Sequence, residues 1–194
     1  MTDRLTAQFA FLSEADKLKS VLRASKLHDA SRFENSAEHS WHVMLYALVL
    51  SDQAAPEVDI NRVIKMLLLH DIVEIDAGDN PIHGDFDSAV QEAEEKLAAD
   101  RLFGLLPEDM AIEFRAIWDE FEDAETPDAV FAKSIDRVQT PVGNLANGGG
   151  TWRDYDVSYE QLESRVGTPI SKGTPNVWTW LQPKLKAFFL SKPA

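Results

Sequence analysis

The chain has 194 residues, of which 44% are apolar, so it can fill one core, and it is neither collagenous nor of low complexity. It contains no cysteine, which excludes disulfides, thiolate metal sites and cysteine nucleophiles. Its 19 Lys+Arg against 33 Asp+Glu give a formal net charge of −14, which argues against a nucleic-acid partner but allows a small anion to bind locally.

Apolar residues recur at helical spacing along most of the chain, which predicts an all-α fold. A first apolar stripe lies within residues 7–22, a second continues from His39, and a third runs over 60–71. An acidic helix is predicted near 88–103, and a further stripe follows over 110–121. Because no repeat or change in composition divides the chain, we expect residues 1–194 to form a single compact helical domain with its core at about 5–190.

Three later helices begin at recognisable signals. Thr126-Pro127 and Thr174-Pro175 each place a capping residue before a proline, and Ser158 and Gln161 have the spacing of a capping box. The most apolar runs, over 44–50 and 66–69, fall short of the ~20 residues that a spanning helix needs. We therefore expect no membrane association and a soluble, cytoplasmic protein.

Ionisable residues gather where the third helix ends. His70 and Asp71 directly follow the apolar run at 66–69, and Glu74 lies on the same helical face. Asp79 comes after a turn marked by Gly78. Because burial of such groups without partners is costly, the pattern indicates a polar site inside the protein.

Two further polar residues point inward from other helices. His39 leads the apolar face of the second helix, and Asp136 lies among the apolar residues of a later one. Together with His70 and Asp71 they form a nitrogen and oxygen set suited to one divalent ion, which could be Mn, Co, Ni, Fe or Zn. The alternative is that each is an ordinary core or capping residue.

Two sequence runs resemble a known family. They are Arg32-x-Glu34-Asn35-x-x-Glu38-His39-Ser40 and His70-Asp71-x-x-Glu74 with its Gly78-Asp79 ending. With the later Asp136, they resemble the HD-domain metal-dependent phosphohydrolases, nearest to the 5′-deoxynucleotidase-like branch, over roughly residues 5–189. The resemblance implies an HD-domain helical bundle, a homodimer and metal ligation by His39, His70, Asp71 and Asp136. It also implies that Glu74 and Asp79 act in catalysis or substrate contact and that Arg23, in the loop after the first helix, faces the substrate phosphate.

The function implied by the resemblance is metal-dependent release of phosphate from a nucleoside 5′-monophosphate substrate, with Glu74 orienting or deprotonating the attacking water. One alternative is hydrolysis of a guanosine alarmone, against which Ile75 argues, since that branch has a second acid there. Another is a catalytically silent domain that binds metal or nucleotide. Because Ala24 replaces the aromatic residue that follows the arginine in the deoxynucleotide-selective branch, sugar preference stays open.

The remaining polar residues are interpreted as structural. Arg32 is expected to brace Glu34 or Glu38 rather than to contact phosphate. Lys133 and Arg137, which flank Asp136, are expected to face solvent. His28 and His83 are expected on surface loops.

Overall fold

A computed structural model of the chain describes residues 2–85 and 87–191. The α-helices, in chain order, are α1 (Thr2–Ala15), α2 (Ser36–Val49), α3 (Ile60–Leu69), α4 (Glu74–Ala77), α5 (Ser88–Phe103), α6 (Glu108–Asp123), α7 (Pro127–Ala146), α8 (Thr151–Asp154), α9 (Tyr159–Leu162), α10 (Thr168–Gly173) and α11 (Pro175–Leu190). Short 3₁₀ turns lie at Asp16–Ser20, Ser51–Gln53 and His70–Val73, and a π-helical turn lies at Glu163–Gly167. The prediction of an all-α fold is confirmed, whereas the single domain over 1–194 stays a prediction.

A small antiparallel sheet departs from the purely helical expectation. Strands β1 (Leu22–Lys26) and β2 (Phe33–Asn35) pair, and Leu27 donates its N–H to the carbonyl of Arg32 across the turn between them. The expectation that Arg23 lies in a loop is therefore wrong, because it sits on β1. Strands of this length carry too few residues for alternation to be recognised in the sequence.

The helix starts follow the expected capping chemistry with one exception. Thr126 accepts a hydrogen bond from the N–H of Ala129, and Ser158 forms a complete capping box. Helix α11 begins at Pro175 as predicted, but the hydroxyl of Thr174 makes no capping bond. It bonds instead with the hydroxyl of Ser134, 2.5 Å away, because both side chains are fully buried where α7 meets α10.

The core that positions the site is built by α2, α3 and α7, which pack against one another. Its members are fully buried apolar side chains, including Val43, Val63, Met66, Phe131 and Ile135. Each contributes about 1.5–3 kcal/mol when removed from water. As a result, the start of α2, the end of α3 and the middle of α7 meet at one place.

A second apolar cluster holds the C-terminal helices on α7. It is centred on Trp152, Leu162, Ile170 and Leu181, all of them buried. Within residues 2–85 and 87–191, no helix is long and apolar enough to cross a membrane.

Candidate metal centre

Three elements deliver the candidate ligands. His39 lies in the first turns of α2, whose start is fixed by a capping box between Asn35 and Glu38. His70 and Asp71 open the 3₁₀ turn that follows α3, and Asp136 lies midway along α7. All four residues are buried, none with more than 7% of its surface exposed.

Hydrogen bonds hold the His70 imidazole in one orientation. Its Nδ1 lies 2.8 Å from the carbonyl oxygen of Leu67 and donates to it. The indole Nε1 of Trp118 donates to the carbonyl of His70 itself over 3.2 Å. Such anchoring of one ring nitrogen directs the other, Nε2, toward a metal.

The donor atoms have the spacing of a coordination shell. His39 Nε2 lies 2.9 Å from Asp136 Oδ1, and His70 Nε2 lies 3.7 Å from the same oxygen. Ligands placed about 2.0–2.2 Å from one ion stand about 3 Å apart, so these distances fit a shared cation. His70 Nε2 is also buried without a hydrogen bond among the described residues. Because an unsatisfied buried nitrogen beside carboxylates is costly, the set is suited to a divalent metal.

Asp71 links this set to the neighbouring charges. Its Oδ1 lies 3.0 Å from His70 Nε2, and its Oδ2 accepts a hydrogen bond from Arg23 Nη1 over 3.1 Å. Burial opposes ionisation of Asp71, but His70 and Arg23 outweigh it and lower the pKa of Asp71 to about 2. Burial likewise disfavours the charged imidazole, yet Asp71 and Asp136 raise the pKa of His70 to about 10. Metal binding at this site would therefore release a proton from His70.

Arg23 is surrounded by carboxylates rather than by solvent. Its guanidinium lies 3.4 Å from Asp79, 3.8 Å from Glu74 and 3.8 Å from Glu34, in addition to Asp71. Only 13% of its side chain is exposed, so Arg23 is not a solvated surface arginine.

Glu74 and Asp79 stand at the edge of this group. Glu74 opens α4, and Gly78, with a φ of 76°, turns the chain so that Asp79 accepts a hydrogen bond from the N–H of Ala24 over 3.2 Å. Burial, reinforced by the negative charge of Asp71, raises the pKa of Glu74 to about 9. Burial also raises the pKa of Asp79. Carboxyl groups of this kind can hold and transfer protons near neutral pH.

These groups open on a cavity of about 480 Å³, within the range of small-molecule sites. Its wall contains all the candidate residues except His39, together with side chains that the sequence did not identify, among them Arg137, His83, Trp152 and Tyr155.

The expectation that Arg137 faces solvent is wrong. Its Nη1 lies 3.1 Å from Asp136 Oδ2, and one third of its side chain is exposed, in the cavity wall. Burial alone would raise the pKa of Asp136, but the charge of Arg137 and the two imidazoles hold this pKa well below its usual value. Lys133 does not face open solvent either, because it pairs with Glu122 over 3.0 Å and is 18% exposed. Both side chains are long enough to reach partners that helical periodicity does not reveal.

The predictions for His28 and Arg32 are confirmed, whereas the one for His83 is wrong. His28 is exposed, as expected, but His83 is half-buried in the cavity wall. Arg32 braces Glu38 through two hydrogen bonds of 2.8 and 2.6 Å, which confirms its structural role.

Comparison with known proteins points to one family. The model of the HD domain family matches residues 15–178. The chain is 27% identical to the 5′-deoxynucleotidase HDDC2 of Bos taurus over 165 residues, 82% of this chain and 78% of that protein. It is 25% identical to the protein of the same name from Xenopus laevis over 158 residues, 81% of this chain and 71% of that one.

Among solved structures, a predicted metal-dependent phosphohydrolase from Magnetospirillum magnetotacticum is similar along almost the whole length. It has a TM-score of 0.90 and 44% identity, covering 96% of this chain and 95% of that one. The family match spans far more than half of the sequence and includes every candidate ligand. The chain therefore belongs to the HD domain family.

Proposed function

We propose that this HD-domain phosphohydrolase releases inorganic phosphate from nucleoside 5′-monophosphates, deoxynucleotides among them, with the help of one divalent metal ion. The observation that carries the proposal is the convergence of His39, His70 and Asp136 from three elements, with donor atoms all within 4.8 Å of one another. The names of the curated relatives supply the substrate class, and the name of the solved relative supplies the metal dependence.

His39, His70, Asp71 and Asp136 would hold the ion, for which Mn, Co, Ni, Fe and Zn are all candidates. When bound there, such an ion would supply Lewis acidity, which makes water a better nucleophile and polarises the phosphoryl group. Glu74 keeps its proton because burial and the negative charges of Asp71 and Asp79 outweigh the nearby Arg23. Positive charge added to the adjacent ligand set would favour the ionised form of Glu74. In the ionised form, Glu74 orients the attacking water and accepts its proton.

Two further residues complete the reaction. Arg23 Nη1, which lies in the same cavity wall, presents a guanidinium to the phosphate. Asp79, whose pKa burial raises, donates a proton to the departing 5′ oxygen of the nucleoside. The products are a nucleoside and inorganic phosphate.

The chain is also proposed to act as a cytoplasmic homodimer. Large apolar side chains are exposed along one side of α2, among them Trp41, Leu45 and Leu48, and on α11 Trp180 is 57% exposed. Exposed apolar surfaces of this kind are typical of contacts between proteins. Light scattering coupled to size-exclusion chromatography would give twice the 21.7 kDa mass of one chain.

The test is phosphate release from a panel of ribo- and deoxyribonucleoside 5′-monophosphates, after chelation and after addition of each candidate metal. The proposal expects no release in chelator and release from one or more members of the panel when metal is restored. Absence of turnover by metal-loaded protein on every monophosphate would favour the silent-domain alternative. Faster hydrolysis of a guanosine alarmone would favour the other alternative, which the comparisons do not support.

A further inference from the structure

Acidic side chains already surround the Arg23 guanidinium. Those of Glu34, Asp71, Glu74 and Asp79 lie between 3.1 and 3.8 Å from it. A phosphate group carries further negative charge, so its approach to this guanidinium meets repulsion from the surrounding acids. A second cation that is less neutralised would be needed to attract the phosphate.

Arg137 meets that requirement. Among residues 2–85 and 87–191, its only ion pair is with Asp136, at 3.1 Å. One third of its side chain is exposed, on the wall of the cavity that also contains His70 and Glu74. Its guanidinium carries five N–H donors in a planar fork, a geometry that matches phosphate oxygens in pairs.

The position of Arg137 ties it to the candidate ligand set. The Asp136 oxygen that it contacts is Oδ2, while Oδ1 faces both imidazoles. A phosphoryl group held beside that ligand set therefore lies close to the guanidinium. On the other side, His83 also lines the cavity, and burial together with Arg165 and Arg137 lowers the pKa of His83 to about 4. Arg165 and Arg137 thus both contribute positive potential at this part of the cavity wall.

We propose that Arg137 is a phosphate-binding residue, which contacts the phosphoryl oxygens of the substrate directly while it holds Asp136. This inference rests on the proposed function and extends it by a second guanidinium. Arg23, whose guanidinium is already surrounded by acids, then contributes less to phosphate binding than Arg137 and holds those acids close together.

The experiment compares Arg137→Met and Arg137→Lys with Arg165→Met as the matched control. Arg165 lies nearby and donates to the carbonyl of Ile82 over 2.7 Å, but it does not line the cavity. Each Mn²⁺-loaded protein is titrated with inorganic phosphate in a calorimeter, its metal content is measured, and kcat and KM are determined on the best monophosphate.

We expect Arg137→Met to weaken phosphate binding by about 10–100-fold, as for the loss of a charged hydrogen bond, and to lower kcat/KM at least as much. Metal content should stay unchanged, Arg137→Lys should restore part of the binding, and Arg165→Met should match the unaltered protein. Phosphate affinity unchanged in Arg137→Met would overturn the inference. So would loss of metal in that variant, because it would assign Arg137 to positioning Asp136 alone. If no protein releases phosphate from any monophosphate, the proposed function fails, whereas the calorimetric comparison still decides the role of Arg137.

Discussion

Replacement of Arg23 by methionine tests whether the site is an electrostatic cluster built around this guanidinium. The arginine is enclosed, and its closest contact is the 3.1 Å pair with Asp71. Removal of one partner from a buried ion pair costs about 3–5 kcal/mol, because the opposite charges remain buried and unpaired. For a chain of this length, 1 kcal/mol corresponds to about 2–4 °C in Tm. The metal-free variant should therefore melt about 6–20 °C below the unaltered protein.

The matched control is Arg62→Met. Arg62 also forms an ion pair, with Glu120, but 40% of its side chain is exposed. Exposed pairs contribute about 0–1 kcal/mol, so this variant should lose no more than about 4 °C. Thermal melts followed by circular dichroism in chelator measure the Tm of both variants. With Mn²⁺ added, the Tm difference between Arg23→Met and the unaltered protein should become smaller, because added positive charge compensates the acids. Equal Tm losses for the two variants would show that Arg23 is not the centre of a buried charge cluster.

Three further predictions address neighbouring groups. Glu74→Gln should lower kcat by about 10²–10⁴-fold at unchanged metal content, measured by phosphate release and elemental analysis; unchanged turnover would remove Glu74 from its proposed role. Glu34→Gln should weaken metal binding by about 10–100-fold, because the negative charge 3.6 Å from Nδ1 of His39 favours a proton on Nδ1 and leaves Nε2 free for the metal; competition with a metallochromic dye measures the affinity, and an equal affinity would contradict this role. His83 has its pKa lowered to about 4, so the folded state binds fewer protons than the unfolded state between pH 6.5 and 4, and stability falls as the pH drops through that range. Between pH 7 and 4.5 the free energy of unfolding should therefore fall by about 1–2 kcal/mol less in His83→Asn than in the unaltered protein, a figure reduced for the solvent screening of this half-exposed group. Urea unfolding measures it, and parallel pH profiles would argue against a half-buried neutral imidazole.

The convergence of His39, His70 and Asp136 was accessible from the sequence. Each is a polar residue on an otherwise apolar helical face, and such residues need partners inside the fold. Periodicity also placed the helices themselves, for example α5 at Ser88–Phe103. What the periodicity could not supply was the pairing between elements, and the family resemblance provided that.

The contacts of the charged residues around the candidate ligands could not be predicted from the sequence. The strand that carries Arg23 is short, and its burial among acids depends on how β1 meets α4, which no local pattern encodes. Arg137 follows Asp136 directly, so its Cα position is rotated by about 100° around the helix axis relative to that of Asp136. The length of the side chain brings its guanidinium back to Asp136, a contact that helical periodicity does not predict.

A crystal structure of the protein grown with Mn²⁺ or Co²⁺, with an anomalous difference map, measures the cation site itself. We expect one ion at about 2.0–2.3 Å from side-chain donors of His39, His70, Asp71 and Asp136. An ion bound elsewhere, or none at these side chains in a preparation that releases phosphate, would contradict this expectation.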